Sequence, residues 1–134
     1  MKFNFDHVMI RVRDLELSLS FYRDILGMNV VRRGDYPNGR FTNVFLSFHE
    51  SENDGPCVEL TYNWDNCNKY EPGNKFGHLA LTTKSLNDAI EYFEGQGVKI
   101  NTYPKIMSGG KRVISFILDP DENLIEVVEP IMEG

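Results

Sequence analysis

The sequence predicts an α+β fold made of two tandem βαβββ modules. Two runs of strict apolar–polar alternation, FDHVMIRV (5–12) and GHLALTT (77–83), each lead directly into a stretch with helical apolar spacing. Each of those stretches is followed by three short strand-like runs. A histidine early in each module is matched by a glutamate in its last strand, His7 with Glu59 and His78 with Glu126. The separations are close, 52 residues (7 to 59) and 48 residues (78 to 126). A repeat this long signals a duplicated module rather than a solenoid of short units.

In the first module, Val8, Ile10 and Val12 share one face of the opening strand, while His7, Met9 and Arg11 share the other. DLELSLSFYRDILG then reads as a helix, with Leu15, Leu19, Tyr22 and Leu26 as its apolar stripe. Asp14 is its N-cap and Gly27 its stop. MNVVRR, TNVFLSF and CVELTYN follow as strands, separated by the turn-rich GDYPNG and HESENDGP. In the second module, Leu79 and Leu81 oppose His78, Ala80 and Thr82. SLNDAIEYFEGQG reads as a helix capped by Ser85, with Leu86, Ala89, Ile90 and Phe93 facing inward and Gly95 and Gly97 ending it. VKINTY, RVISFIL and LIEVVEP close the chain, the last two joined by a tight turn at DPDEN. The expected organisation is a first module at 1–66, a linker at 67–76 and a second module at 77–134, together one structural domain.

The 134 residues suit one domain or two small fused modules. A hydrophobic share of 41% and a charged share of 25% are those of an ordinary soluble globular protein. The net charge of -6, with no basic block, argues against nucleic acid or an anionic membrane as partner. With no membrane-length apolar run and no signal-peptide pattern, a reduced cytoplasmic setting is expected. Cys57 and Cys67 are read as a strand thiol and a loop thiol.

If each helix covers the aliphatic face of its module, His7, Glu59, His78 and Glu126 project from the helix-free faces. Sheets that curl or meet face to face would bring the four together. Taken singly, a strand histidine is more often a hydrogen-bonded half-buried residue, and a strand glutamate most often faces water. Four such residues at repeated positions reverse that weighting. Two carboxylates in one cavity repel unless a proton or a cation intervenes. Two imidazoles and two carboxylates suit a borderline divalent ion such as Zn, Ni, Co, Fe or Mn, and leave positions open for water or substrate. His49, at a strand end beside Glu50 and Ser51 with no repeat mate, reads as loop surface.

FDHVMIRVRDLELSLSFYRDILGMNVVRR, CVELTYNW, FGHLAL and DPDENLIEVVE together resemble glyoxalase I, the lactoylglutathione lyase family of the vicinal-oxygen-chelate superfamily, over nearly the whole chain. The resemblance implies paired βαβββ modules forming a cupped mixed sheet, and a metal held by His7, Glu59, His78 and Glu126. It implies a homodimer with active sites at the interface, where the halves of each ligand set come from different subunits. The short chain is similar to the class activated by Ni or Co, with Zn the alternative. The implied substrate is the hemithioacetal of methylglyoxal and glutathione, isomerised to S-lactoylglutathione by proton transfer through a metal-bound enediolate. Glu126 would be the principal catalytic base, and Glu59 would serve the other face of the substrate.

Arg11 shares a strand face with His7 and Asn63 shares one with Glu59. Matching residues of the family bind the glutathione part, and a guanidinium suits a carboxylate. The loop KIMSGGKR offers Lys105, Lys111 and Arg112 for a distal carboxylate, with Lys105 nearest the implied position. The chain departs from the family at Asn74, where a basic residue is common, and at Glu122, which replaces a turn glycine; these departures leave the metal site alone and leave open which thiol is used. A dioxygenase, epimerase or thiol transferase with a three-residue metal set would not need Glu59, and a non-catalytic binding module of the same fold would need no quartet.

Overall fold

A computed structural model describes residues 1–66, 68–106, 110 and 112–130. The chain forms two compact units, Met1–Glu71 and Pro72–Gly134. The division falls inside the stretch expected to be a linker. No helix among the described residues is long and apolar enough to cross a membrane.

The first unit contains β1 (His7–Arg11), α1 (Leu15–Leu19), a π-helical segment (Ser20–Ile25), β2 (Asn29–Tyr36), β3 (Phe41–Ser47) and β4 (Cys57–Asn63). Its four strands lie in the order β1-β4-β3-β2. β1 runs parallel to β4, and the other two pairings are antiparallel. Asp14 caps α1 by accepting from the Leu17 amide at 3.1 Å, as the sequence predicts. The expected single α-helix does not persist. After Leu19 the backbone widens to π-type bonding, with the Leu26 amide reaching back five residues to the Phe21 carbonyl at 2.9 Å. The extra residue turns both Phe21 and Tyr22 into the core, 4% and 1% exposed, where they meet edge to face. The segment ends at Gly27, whose φ of 81° is readily adopted only without a Cβ.

β2 continues past the point where the sequence suggested a turn. Gly34, Asp35 and Tyr36 remain paired to β3, and the chain reverses through Pro37–Arg40. Two contacts hold this extension. Thr42 donates its hydroxyl to Asp35 at 2.7 Å, and the Tyr36 and Phe41 rings stack at 4.8 Å. The Tyr36 ring lies over Gly34, so that a Cβ there would stand 2.7 Å from the Tyr36 hydroxyl and displace the ring. Trp64, at the end of CVELTYNW, anchors β4 to the same hairpin through its indole N–H, 2.9 Å from the Thr42 hydroxyl.

The second unit repeats the plan: β5 (Leu79–Thr82), α2 (Leu86–Gly95), β6 (Ile100–Ile106), β7 (Val113–Leu118) and β8 (Leu124–Glu129). The order is β5-β8-β7-β6, with β5 parallel to β8. Ser85 caps α2 from its side chain, and Glu129 of β8 accepts from the Leu86 amide at 3.1 Å. Leu86, Ile90 and Phe93 bury the inner face of α2, and Ile117 and Ile125 of the sheet are likewise buried. β6 runs three residues beyond VKINTY and includes Pro104. A proline is tolerated there because β6 is an edge strand and its pairing slips between Thr102 and Lys105.

The turn before β8 is organised by Asp119. One carboxylate oxygen accepts from the backbone N–H groups of Asp121 and Asn123 at 2.9 and 2.8 Å. Glu122 sits in this turn with φ 66°, a left-handed conformation that costs a residue with a Cβ about 1–2 kcal/mol. Glu122→Gly is therefore expected to stabilise the protein by roughly 0.5–1 kcal/mol, after allowance for the freer unfolded chain. Urea unfolding of the two forms checks this, and an unchanged or lower midpoint would contradict it.

Candidate functional site

The parallel pairing in each unit sets the site. In the first unit Met9 is the partner of Glu59; in the second, Ala80 is the partner of Glu126. In both, the residue two positions after the histidine lies beside the glutamate. Two positions along a strand restores the same face, so each histidine stands diagonally across from its glutamate on one sheet surface. The unequal separations in sequence thus conceal an equal register.

The side chains agree with the backbone. His7 Nε2 lies 3.1 Å from Glu59 Oε1, and His78 Nε2 lies 3.9 Å from Glu126 Oε1. Each imidazole also meets, edge to face, a phenylalanine of the strand beyond the glutamate's. His7 stands on Phe45 with ring centroids 5.3 Å apart and an interplanar angle of 77°; His78 stands on Phe116 at 5.1 Å and 82°. Phe45 is the cross-strand partner of Glu59 and Phe116 that of Glu126. The unit of repetition is therefore a trio of histidine, phenylalanine and glutamate.

Glu59 is more enclosed than an outward strand carboxylate, with its side chain 14% exposed. Its Oε2 accepts from Asn43 Nδ2 at 3.2 Å and from the Thr61 hydroxyl at 3.4 Å, which leaves Oε1 turned to His7. Asn43 is itself buried, and its Oδ1 has no hydrogen-bond partner among the described residues. Glu126 is 22% exposed and, apart from facing His78, has no hydrogen-bond partner among the described residues. One glutamate is tethered by two donors and the other by none among the described residues.

The donor set suits a divalent ion. Two donors about 2.1 Å from one ion, at right angles, stand about 3 Å apart, close to the first pair's 3.1 Å. The second pair is wider and would have to close. Each unit supplies two such donors. Among the described residues no group of three or more His, Cys, Asp or Glu side chains is placed to hold an ion.

The remaining sequence candidates fall as follows. Arg11 is exposed at the end of β1 beside Thr61, on the His7 face, and makes no ion pair among the described residues. Asn63 lies on the Glu59 face and donates to the Tyr70 hydroxyl at 3.1 Å. Lys105 is exposed on β6, opposite Ile114. Arg112 immediately precedes β7, while Lys111 and Cys67 lie outside the described residues. Cys57 is free and buried, and burial pushes its thiol up, away from reactivity. His49 is exposed just beyond β3, with its ring packed over Gly55. Sequence reasoning passed over Asn43, Phe45 and Phe116. A signal existed for the last two, since each follows its histidine by 38 residues (7 to 45 and 78 to 116).

Residues 4–127 match the model of the Glyoxalase/Bleomycin resistance protein/Dioxygenase superfamily. A protein of Synechocystis named probable lactoylglutathione lyase is 45% identical over 124 residues, 92% of each chain. The crystal structure of glyoxalase I from Zea mays superimposes with a TM-score of 0.88 at 35% identity, over 96% of this chain. The present chain spans about half of that maize chain, 45% of its length. The trypanothione-dependent glyoxalase I of Leishmania major matches at a TM-score of 0.82 and 31% identity, over 95% of this chain and 86% of that one. The chain belongs to the glyoxalase, bleomycin resistance protein and dioxygenase superfamily and, within it, to the lactoylglutathione lyase family.

Asn43→Ala would release Glu59 Oε2 and leave its carboxylate less fixed. The expected result is a several-fold loss of affinity for divalent ions, measured by competition with a chromophoric chelator, with the fold retained by circular dichroism. Unchanged affinity would separate Asn43 from the site.

Proposed function

We propose that the protein is a metal-dependent lactoylglutathione lyase, converting the hemithioacetal of methylglyoxal and glutathione to S-lactoylglutathione. The repeated His–Glu pair, at one register in both units and with each histidine on a phenylalanine, carries this reading. The lactoylglutathione lyase name of the 45% identical relative supports it. His7, Glu59, His78 and Glu126 would hold one divalent ion, Ni or Co in preference to Zn. By the resemblance to glyoxalase I, we assign completion of the set to a homodimer in which the halves come from different subunits.

When bound, the ion supplies charge stabilisation to the substrate oxygens as the adjacent carbon loses its proton. Glu126 takes that proton from the carbon bonded to sulfur and returns it to the neighbouring carbonyl carbon. Its carboxylate suits the task because no backbone or side-chain donor fixes it among the described residues. Glu59, held by Asn43 and Thr61, is suited instead to a fixed position across the site. Partial burial of both glutamates limits competition from water for the substrate. Arg11 and Asn63, on the same face as His7 and Glu59, bind the glutathione part, and Lys105 meets a distal carboxylate. The thiol is glutathione by this reading; trypanothione, named for the Leishmania relative, is the comparison to include.

The test strips the protein with chelator, supplies methylglyoxal with glutathione, and follows thioester formation after separate addition of Ni, Co or Zn. Restored turnover is expected, greatest with Ni or Co. Absence of turnover from folded, ion-loaded protein would reject the assignment. Glu126→Gln should lower kcat by about 100-fold or more. Arg11→Ala should raise KM for the glutathione adduct by roughly 10-fold with little change in kcat, the mark of a lost binding contact. A matching fall in kcat would remove Arg11 from the thiol site.

A further inference from the structure

We infer that Asp6 is a positioning residue for His7, making the two halves of the ligand set unequal. The inference rests on the reading of His7 as an ion ligand. His7 has both ring nitrogens engaged. Nδ1 is 2.5 Å from Asp6 Oδ2, while Nε2 faces Glu59 Oε1 at 3.1 Å. A neutral imidazole carries one proton; both nitrogens stand against a carboxylate, and the shorter contact, to Asp6, is the one that takes it. Asp6 therefore selects the tautomer with Nδ1–H and leaves the lone pair of Nε2 turned toward the face shared with Glu59. A carboxylate behind a ligating imidazole fixes both its tautomer and its ring angle.

Asp6 is exposed at its side chain but not on a loose end. Its backbone carbonyl accepts from the Cys57 amide at 2.9 Å, which extends the β1–β4 ladder by one step and fixes the Cα from which the carboxylate reaches back. With Phe45 against the ring edge, His7 is held from two directions.

The second half lacks this device. The residue before His78 is Gly77, which has no side chain to offer. His78 keeps its phenylalanine but stands 3.9 Å from its glutamate. The first half is thus set before an ion arrives, and the second is the half that adjusts. Nothing in the repeat requires this difference; it follows from one position, aspartate in the first half and glycine in the second.

Two measurements decide the matter. Long-range proton–nitrogen spectra of the chelator-treated protein report the His7 tautomer directly, without an ion. The wild type is expected to show His7 as Nδ1–H, and Asp6→Ala to move it toward the Nε2–H form. Chelator competition with Ni, Co and Zn then gives ion affinity. Asp6→Ala is expected to weaken it about 10-fold, the low end for such partners because the carboxylate is exposed. Asp6→Asn, whose amide oxygen still accepts from Nδ1–H, should recover most of that loss. A wild type that binds no ion would overturn the functional reading and this inference with it. A wild type that binds an ion, with Asp6→Ala equal to it in tautomer and affinity, would overturn the inference alone. Equal losses in the Ala and Asn variants would also overturn it, since they would indicate bulk charge rather than a bond to Nδ1.

Discussion

The parallel pairing of the first and last strands of each unit is the constraint on which the rest depends. Parallel neighbours cannot be joined by a tight turn, so the chain must leave the sheet, cross over and return. Here the excursion carries a helical segment and two further strands. The strands widen the sheet and the helical segment packs on one of its faces, leaving the other to the histidine, phenylalanine and glutamate trio and its polar neighbours. Register then does the chemical work. With Met9 beside Glu59 and Ala80 beside Glu126, a histidine two residues earlier falls on the glutamate's face. A slip of one residue would send the glutamate to the helix side, among Leu19, Leu46 and Leu60.

The polar face is not simply wet. Asn43, Ser47 and Thr61 are all buried on the middle strands of the first unit. Asn43 keeps an unpaired buried oxygen while its amide holds Glu59, a state that costs on the order of 1–3 kcal/mol unless something else compensates. Packing alone would favour an aliphatic residue there. An amide in its place makes sense as the means of turning one carboxylate oxygen away from His7 and the other toward it. Arg32 adds to this surface: its guanidinium lies 4.0 Å from the Phe45 ring centre while bonding Glu52 at 2.8 Å. The ring that supports His7 is thereby itself held from a second strand.

Much of this was legible in the sequence because it depends on short-range rules. Asp14, Ser85 and Gly27 are caps whose chemistry is local, and all three act as expected. The duplicated βαβββ plan follows from alternation and helical spacing. The histidines and glutamates were found because duplication shows them twice. What stayed hidden depends on contacts across strands. Phe45 and Phe116 look like ordinary core residues until the register sets them beside a glutamate. The π-helical turn could not be foreseen from a stripe that fits an α-helix nearly as well. β2 runs on through Gly34, with the ring of Tyr36 over it, a pairing that the turn-like composition of GDYPNG conceals. Asp6 was overlooked because adjacent residues on a strand point to opposite faces; its carboxylate reaches His7 only by bending back.

Sequence distance along the repeat has a further consequence, for the order of folding. Each His–Glu pair closes a chain segment of about 50 residues (52 from 7 to 59, 48 from 78 to 126). The β2–β3 and β6–β7 hairpins close far shorter loops and meet a smaller entropic barrier. Loop-closure entropy alone therefore favours the hairpins ahead of the strand pairing that creates the site. A unit with its hairpin and helix formed but its outer strand undocked has much of its secondary structure and no paired donors. Competence for an ion then reports complete folding of the unit, and a partly folded intermediate offers at most scattered single ligands.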